Sequence, residues 1–377
     1  MKAAPGPPDR LTVVFAPDSF KGSLSSVEVA RALADGWARA RPADALLLAP
    51  LADGGEGTLA AIEAAGGWER HKAQVHDPIG REITASWLRS ADGDDGVVEL
   101  AEASGLSRLT REERDPIGAS TTGTGELIRA ALDAGVRRLV LGIGGSASTD
   151  GGSGILGALG VVPAERDSNQ PLNLVFLDHR VSETDLRIAC DVTNPLLGPT
   201  GAAATYGPQK GATPDQVADL DHRLAAWADR LEAATGRRER DSSGAGAAGG
   251  VGFALLCLRD RFRSLELVPG VDLVAEETGL DDKLARADIV VTGEGRIDAQ
   301  TAFGKTALGV ARRAQAAGVR CIAVGGGVEP EGAAALAKLG VEVVPVHEQP
   351  IALDDAIAAG AAPLVTCGER LARSIDG

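Results

Sequence analysis

The chain has 377 residues, too many for one ordinary hydrophobic core, and at roughly 150 residues per domain this length suggests two or three domains. Apolar residues make up 44% and charged residues 24%, the balance of a globular protein. The formal net charge of −15 argues against a nucleic-acid partner and against binding to an anionic membrane surface.

Residues 1–10 are Pro-rich without an apolar signal core and read as a loose tail. Residues 11–16 form a short β-branched run that stops at Pro17, a strand. Ser25 then stands at a helix N-cap with Glu28 at the capping-box position, predicting a helix to about residue 40. Residues 46–51 predict a second buried strand, followed by the turn Asp53-Gly54-Gly55 and a helix over 56–65. In the middle of the chain, 83–88 and 96–100 flank a polar turn and predict an antiparallel hairpin. A helix over 125–134 and a strand over 138–143 follow; 167–185 show no clear period, and 214–234 predict a strong helix. The C-terminal part returns to the grammar of the start, with strands over 288–292, 320–324 and 341–346 and helices over 305–317, 332–339 and 355–373.

Apolar strands alternating with helices imply a parallel sheet covered on both faces. The expected fold class is α/β with two different domains. A flavodoxin/Rossmann-like parallel-sheet domain is split in sequence over 1–71 and 285–377, with a mixed α/β domain inserted at 72–284. The competing division is two consecutive domains cut near Arg180; the shared grammar of the two ends favours insertion. No apolar run approaches the roughly 20 residues of a membrane span. Cys190, Cys257, Cys321 and Cys367 lack metal-ligand spacing, so core thiols and a cytoplasmic location are expected.

Five Gly-rich segments adjoin apolar strands: 16–23, 51–58, 142–152, 190–195 with 206–211, and 292–298. In open α/β sheets ligands bind beyond the carboxyl ends of strands, and glycines let backbone N–H groups approach a phosphate closely. None of the five is a strict nucleotide fingerprint. Gly304-Lys305-Thr306 has Ala299 where a P-loop needs glycine, and no strand-linked GxGxxG is present.

Lysine is scarce, seven against 31 arginines, yet Lys21, Lys210 and Lys305 all lie beside these segments. A compact ammonium suits a phosphoryl group in transfer, whereas chance placement in a small sample is the bland alternative. Asp18, Asp53, Glu56, Asp150, Asp191, Glu294 and Asp298 are candidates to hold Mg²⁺ or take a proton. Each could instead be a helix cap or an Asx turn, but seven on such segments are too many for capping alone. Arg296 suits a substrate carboxylate, Ser19, Thr193 and Asn194 could position ligands, and Gly144, Gly145, Ser146 and Ser148 offer phosphate donors. The five histidines lie outside these segments, which argues against a His-based triad or a zinc site.

Taken together and in order, these segments resemble the bacterial glycerate kinase family of glyoxylate and glucarate utilisation. The resemblance rests on APDSFKGSLS (16–25), ADGGEGT (52–58), the segment 144–152, CDVTNPL (190–196) with GPQKGA (207–212), GAAGG (246–250), and 292–301 with Gly304-Lys305. Departures fall at a shortened stretch over 164–186, at Asp241-Ser242-Ser243, at Thr149 and at Gly325-Gly326-Gly327. The resemblance implies transfer of the γ-phosphoryl of ATP, with Mg²⁺, to a hydroxyl of D-glycerate, and a discontinuous flavodoxin-like domain carrying a second domain.

On this reading Lys21, Asp191, Glu294 and Asp298 are catalytic, with Asp191 the metal ligand. Asp18, Ser19, Asp53, Arg296 and Asn194 bind substrate. Gly144, Gly145, Ser146, Ser148, Lys210 and Lys305 bind phosphate, all meeting in an interdomain cleft of a monomer or homodimer. The choice between the 2- and 3-hydroxyl stays open, with bacterial relatives favouring the 2-hydroxyl. Two rival readings are a hydroxy-acid dehydrogenase, which lacks its dinucleotide motif here, and a non-catalytic sugar-acid binding or regulatory protein.

Overall fold

A computed structural model describes residues 10–163, 170–299, 301, 306–349 and 351–375; Lys305 and the tail before Arg10 lie outside the described residues. Eleven strands appear among them: β1 Thr12–Pro17, β2 Ala45–Leu48, β3 Trp68–His76, β4 Glu82–Ser90, β5 Asp95–Glu99, β6 Arg138–Gly142, β7 Asp185–Ala189, β8 Ser264–Val268, β9 Ile289–Ile297, β10 Arg320–Val328 and β11 Glu342–Pro345. The chain forms two compact units, one of Met1–Ala52, Ala60–Gly66 and Val271–Gly377, the other of Asp53–Leu59 and Gly67–Gly270.

The first unit is an α/β layer structure on a five-stranded, wholly parallel sheet in the order β11-β10-β9-β1-β2. Numbered within the unit, that order is 2-1-3-4-5 reversed, the flavodoxin arrangement, whose direction switches between β1 and β9. Ser25 caps the helix Ser26–Ala40 as its sequence predicts, its hydroxyl accepting from the Glu28 amide while Glu28 reaches back to the Ser25 amide at 2.8 Å. Val13, Phe15, Leu33, Trp37, Val291 and Ile322 form the centre of this unit's core.

Two elements here differ from expectation. β9 and β10 run to nine residues each, past the strand ends expected at 292 and 324, so that β9 absorbs most of the Gly-rich segment 292–298 and β10 includes Gly325-Gly326-Gly327. Their register continues through Gly325 opposite Glu294 and Gly327 opposite Arg296. A Cβ on Gly326 would lie 2.6 Å from the Gly295 carbonyl oxygen, so the two backbones approach where no side chain fits. The final helix is two, Leu353–Ala358 and Ala362–Ser374. Pro363 supplies no N–H and its ring would meet the carbonyl of the preceding turn, so the second helix starts afresh there.

The second unit carries a mixed six-stranded sheet in the order β3-β4-β5-β6-β7-β8. β3, β4 and β5 are antiparallel and β5 to β8 parallel, with Glu99, Gly142, Ala189 and Val268 aligned at the carboxyl ends. The anticipated hairpin is β4–β5; β3, β7 and β8 are strands that the sequence reading lacked. β3 lies at the sheet edge with Val75 buried and most of its other side chains polar and partly exposed, so no apolar run marks it. Helix Pro214–Thr235 begins with a Thr213/Gln216 capping box and buries Leu220, Leu224, Trp227 and Leu231 in the core. Among the described residues no helix is long and apolar enough to cross a membrane.

Candidate functional site

The chemistry-bearing residues form two clusters, one in each unit. In the first unit the cluster sits at the switch between β1 and β9. The Asp18 amide donates to the Gly293 carbonyl at 2.8 Å, continuing the pairing of the two strands beyond Pro17. Asp18 Oδ2 accepts the Thr306 hydroxyl at 2.7 Å at the start of helix Thr306–Ala317, where a carboxylate is favoured by the helix dipole. Asp18 Oδ1 accepts the Ser19 amide, and Lys21 is exposed a few residues on.

From β9, Glu294 is buried and accepts the Thr301 hydroxyl at 2.9 Å, while Thr301 Oγ1 also receives the Asp298 amide at 3.1 Å. Arg296, exposed, pairs with Glu329 through Nε at 3.0 Å and stands 3.9 Å from Asp298. Asp18, Ser19, Lys21, Glu294, Arg296 and Asp298 thus share the carboxyl ends of two adjacent strands. Because β9 is long, Glu294 and Arg296 project from a strand rather than from the loop the sequence suggested. Thr301 and Thr306 were not singled out; both hydroxyls lie inside or beside the 292–305 motif, and that proximity was the available signal.

In the second unit the cluster lies at the carboxyl ends of β5, β6 and β7. The segment following β6 carries Gly144, Gly145, Ser146 and Ser148. Lys210 is 2% exposed beneath it and donates to Ser146 Oγ at 2.8 Å and to the Ser148 carbonyl. Burial pushes the Lys210 ammonium down to about 7, against the pull of Asp150. Ser148 Oγ is buried with no hydrogen-bond partner among the described residues, a donor left unspent there.

Asp150 accepts from the Thr121 amide and hydroxyl and from the Gly154 amide on one oxygen, and from the Gly152 amide on the other. It staples the 142–152 segment to the starts of two helices, the capping role that the sequence left open for it. Asp53 turns its carboxylate toward the Gly55 amide, 3.3 Å away, and the Gly144 amide donates to the Gly54 carbonyl at 3.2 Å.

Asp191, exposed after β7, accepts the Gly270 amide on Oδ1 at 2.8 Å. The Asn194 amide group bonds the Thr200 carbonyl at 2.8 Å and accepts the Tyr206 hydroxyl at 2.8 Å, so it ties its own loop together. Among the described residues no cluster of three His, Cys, Asp or Glu side chains could hold a metal ion. Single hard carboxylates such as Asp191 fit Mg²⁺ carried on a polyphosphate, where phosphate and water oxygens supply the other ligands.

The geometry can be set beside known proteins. The family model described as the glycerate kinase family matches residues 13–376. The chain belongs to that family. Among its relatives, the Haemophilus influenzae glycerate kinase is 40% identical, covering 96% of this chain and 97% of the relative. The Escherichia coli K12 glycerate 2-kinase is 41% identical over 81% of this chain and 82% of its own length. A crystal structure from Salmonella typhimurium LT2 bearing the name glycerate kinase 2 superposes with a TM-score of 0.83 at 37% identity, covering 97% of this chain and 98% of that one. The chain is therefore a phosphotransferase of the glycerate kinase family, and both clusters belong to an enzyme that phosphorylates glycerate.

Proposed function

We propose that this glycerate kinase transfers the γ-phosphoryl of ATP to the 2-hydroxyl of D-glycerate, giving 2-phospho-D-glycerate. What supports the reading is that one unit carries a Gly-rich, hydroxyl-rich segment over a buried lysine, and the other a strand-end cluster of Asp18, Lys21, Glu294, Arg296 and Asp298. Phosphoryl transfer asks a protein mainly for positioning and charge neutralisation, and these groups supply both. The 2-hydroxyl reading is favoured by the Escherichia coli relative named glycerate 2-kinase.

In this proposal Gly144, Gly145, Ser146 and Ser148 cradle phosphate oxygens, with Lys210 contributing charge from beneath. Lys21 neutralises the phosphoryl group in flight. Asp191 holds Mg²⁺, which when bound screens the polyphosphate charge. Asp18, Ser19, Asp53 and Asn194 shape the substrate site, and Arg296 takes the glycerate carboxylate. Its present partner does not prevent that, because water screens an exposed ion pair such as Arg296–Glu329 and the pair is readily exchanged. Glu294 or Asp298 accepts the hydroxyl proton. The two clusters serve one reaction in the interdomain cleft anticipated above, in a cytoplasmic enzyme.

The test is a coupled ADP-release assay with glycerate, followed by ³¹P NMR of the product to read which oxygen carries phosphate. Lys21→Met and Asp191→Asn should each lower kcat at least tenfold with the fold intact. Wild-type turnover in either variant would remove that residue from its role, and no ADP release with glycerate would end the proposal.

A further inference from the structure

Glu99, the last residue of β5, is 3% exposed and has no part in the mechanism above. Both of its carboxylate oxygens are engaged: Oε1 accepts the Gly57 amide at 3.2 Å and Oε2 the Leu59 amide at 3.0 Å. The segment it grips, Asp53–Leu59, lies against the carboxyl ends of β6 and β7. The Gly54 carbonyl receives the Gly144 amide, and a Cβ on Gly54 would come within 2.3 Å of Ala189 Cβ. At Gly144 a Cβ would come within 2.4 Å of Gly55 Cα. The segment carrying Asp53 is therefore pressed on the segment carrying Ser146, and Glu99 is the side chain that clamps its far end.

We propose that Glu99 is a positioning residue for phosphoryl transfer, whose carboxylate locks Asp53–Leu59 against the Gly144 segment and whose protonation loosens that seam. The inference rests on the reading that both segments contact the substrates. Two acceptor oxygens facing two N–H donors match the ionised form; a proton on either oxygen removes the negative charge and takes up one of its lone pairs, which weakens that oxygen as an acceptor for its amide. Burial raises the Glu99 carboxyl to about 7, the amides of Leu59 and Gly57 oppose that shift, and the negative charges of Glu102 and Glu56 reinforce it. The lock therefore opens and closes near neutral pH.

Two measurements on the full chain test this: hydrogen exchange of peptides covering 53–59, corrected for intrinsic rates, and the pH profile of kcat with glycerate and ATP. In the wild type, protection of 53–59 and kcat should fall together below about pH 7. Glu99→Gln, which sets an amide N–H₂ against one of the two donors, should raise exchange of 53–59 about tenfold at pH 8. It should lower kcat by a similar factor and flatten the acid limb between pH 6 and 8, a change that general destabilisation would not produce. Glu99→Asp keeps the charge, reaches one amide, and should retain an acid limb with a smaller loss of kcat. Unchanged exchange in Glu99→Gln overturns the lock itself. Raised exchange with wild-type kinetics from pH 6 to 8 leaves the lock standing but overturns its role in the reaction, by showing that 53–59 does not serve it. Should Glu99→Gln fail to fold, equal corrected protection of 53–59 at pH 6 and pH 8 in the wild type overturns the proposal alone.

Discussion

Thr301 donates its hydroxyl to Glu294 Oε1 at 2.9 Å, joining a carboxylate on β9 to the chain that follows the strand. Since Thr301 Oγ1 also receives the Asp298 amide, one hydroxyl sets the spacing of the two candidate bases. Thr301→Val should remove both bonds without changing shape, leaving a buried carboxylate with one donor fewer. A hydrogen bond to a charged group is worth about 1.5–3 kcal/mol, so kcat should fall about tenfold or more. Thr301→Ser should keep most of the activity. Steady-state kinetics of the two variants decide the matter, and equal, wild-type kcat in both would show that the spacing of Glu294 and Asp298 does not govern turnover.

Gly144→Ala tests the seam between the two Gly-rich segments from the other side. Its Cβ would stand 2.4 Å from Gly55 Cα, backbone against backbone, so neither partner can simply rotate away. Overpacking of this kind costs about 1–3 kcal/mol. The variant should lose several degrees in Tm and at least tenfold in kcat/KM for ATP. Unaltered kinetics in a folded Gly144→Ala protein would mean the loops tolerate separation, contrary to a preorganised phosphate cradle.

Asp150→Asn separates structure from chemistry. The carboxylate accepts four hydrogen bonds in a buried setting, and an asparagine must turn an N–H₂ toward some of those donors. Urea unfolding should show a loss of about 2–3 kcal/mol, with kcat reduced far less than stability. A kcat reduced a hundredfold at unchanged stability would instead place Asp150 among the reacting groups.

The sequence reveals more of the first unit than of the second. Ser25 and Glu28 announced their helix because a capping box is a local code, and the buried strands of a parallel sheet announce themselves as apolar runs. β3 did not, because an edge strand such as Trp68–His76 keeps polar side chains partly exposed and carries no such run. The extension of β9 through Glu294 to Ile297 was hidden for another reason: Gly325 to Gly327 form its pairing partner, and a strand that pairs by backbone proximity leaves no side-chain pattern. At the site, residue types and loop positions pointed to Asp18, Glu294 and Lys210. Their partners Thr306 and Ser148, and the clamp at Glu99, arise from contacts between segments 40 to 288 residues apart, and such contacts leave no local trace; Thr301, seven residues from Glu294, is the exception.

Lys210 gives the sharpest pH prediction. Its ammonium is pushed down to about 7 in the native protein from an ordinary value of 10.5, so between these limits the unfolded chain binds the proton that the native chain has released. Stability contributed at this position must therefore rise with pH across that window and stay flat below it. Relative to Lys210→Met, the wild type should gain about 2 kcal/mol in unfolding free energy between pH 7.5 and 9, at about 1.4 kcal/mol per pH unit. Paired urea titrations of the two proteins at those pH values read the difference directly, with all other titrating groups common to both. The same depressed value makes nucleotide binding proton-linked: phosphates above Ser146 would favour the charged form and draw a proton from solvent. Calorimetry of ATP binding at pH 8 in buffers of different ionisation enthalpy should show proton uptake in the wild type and none in Lys210→Met. Equal heats in all buffers would place the bound phosphates out of reach of Lys210.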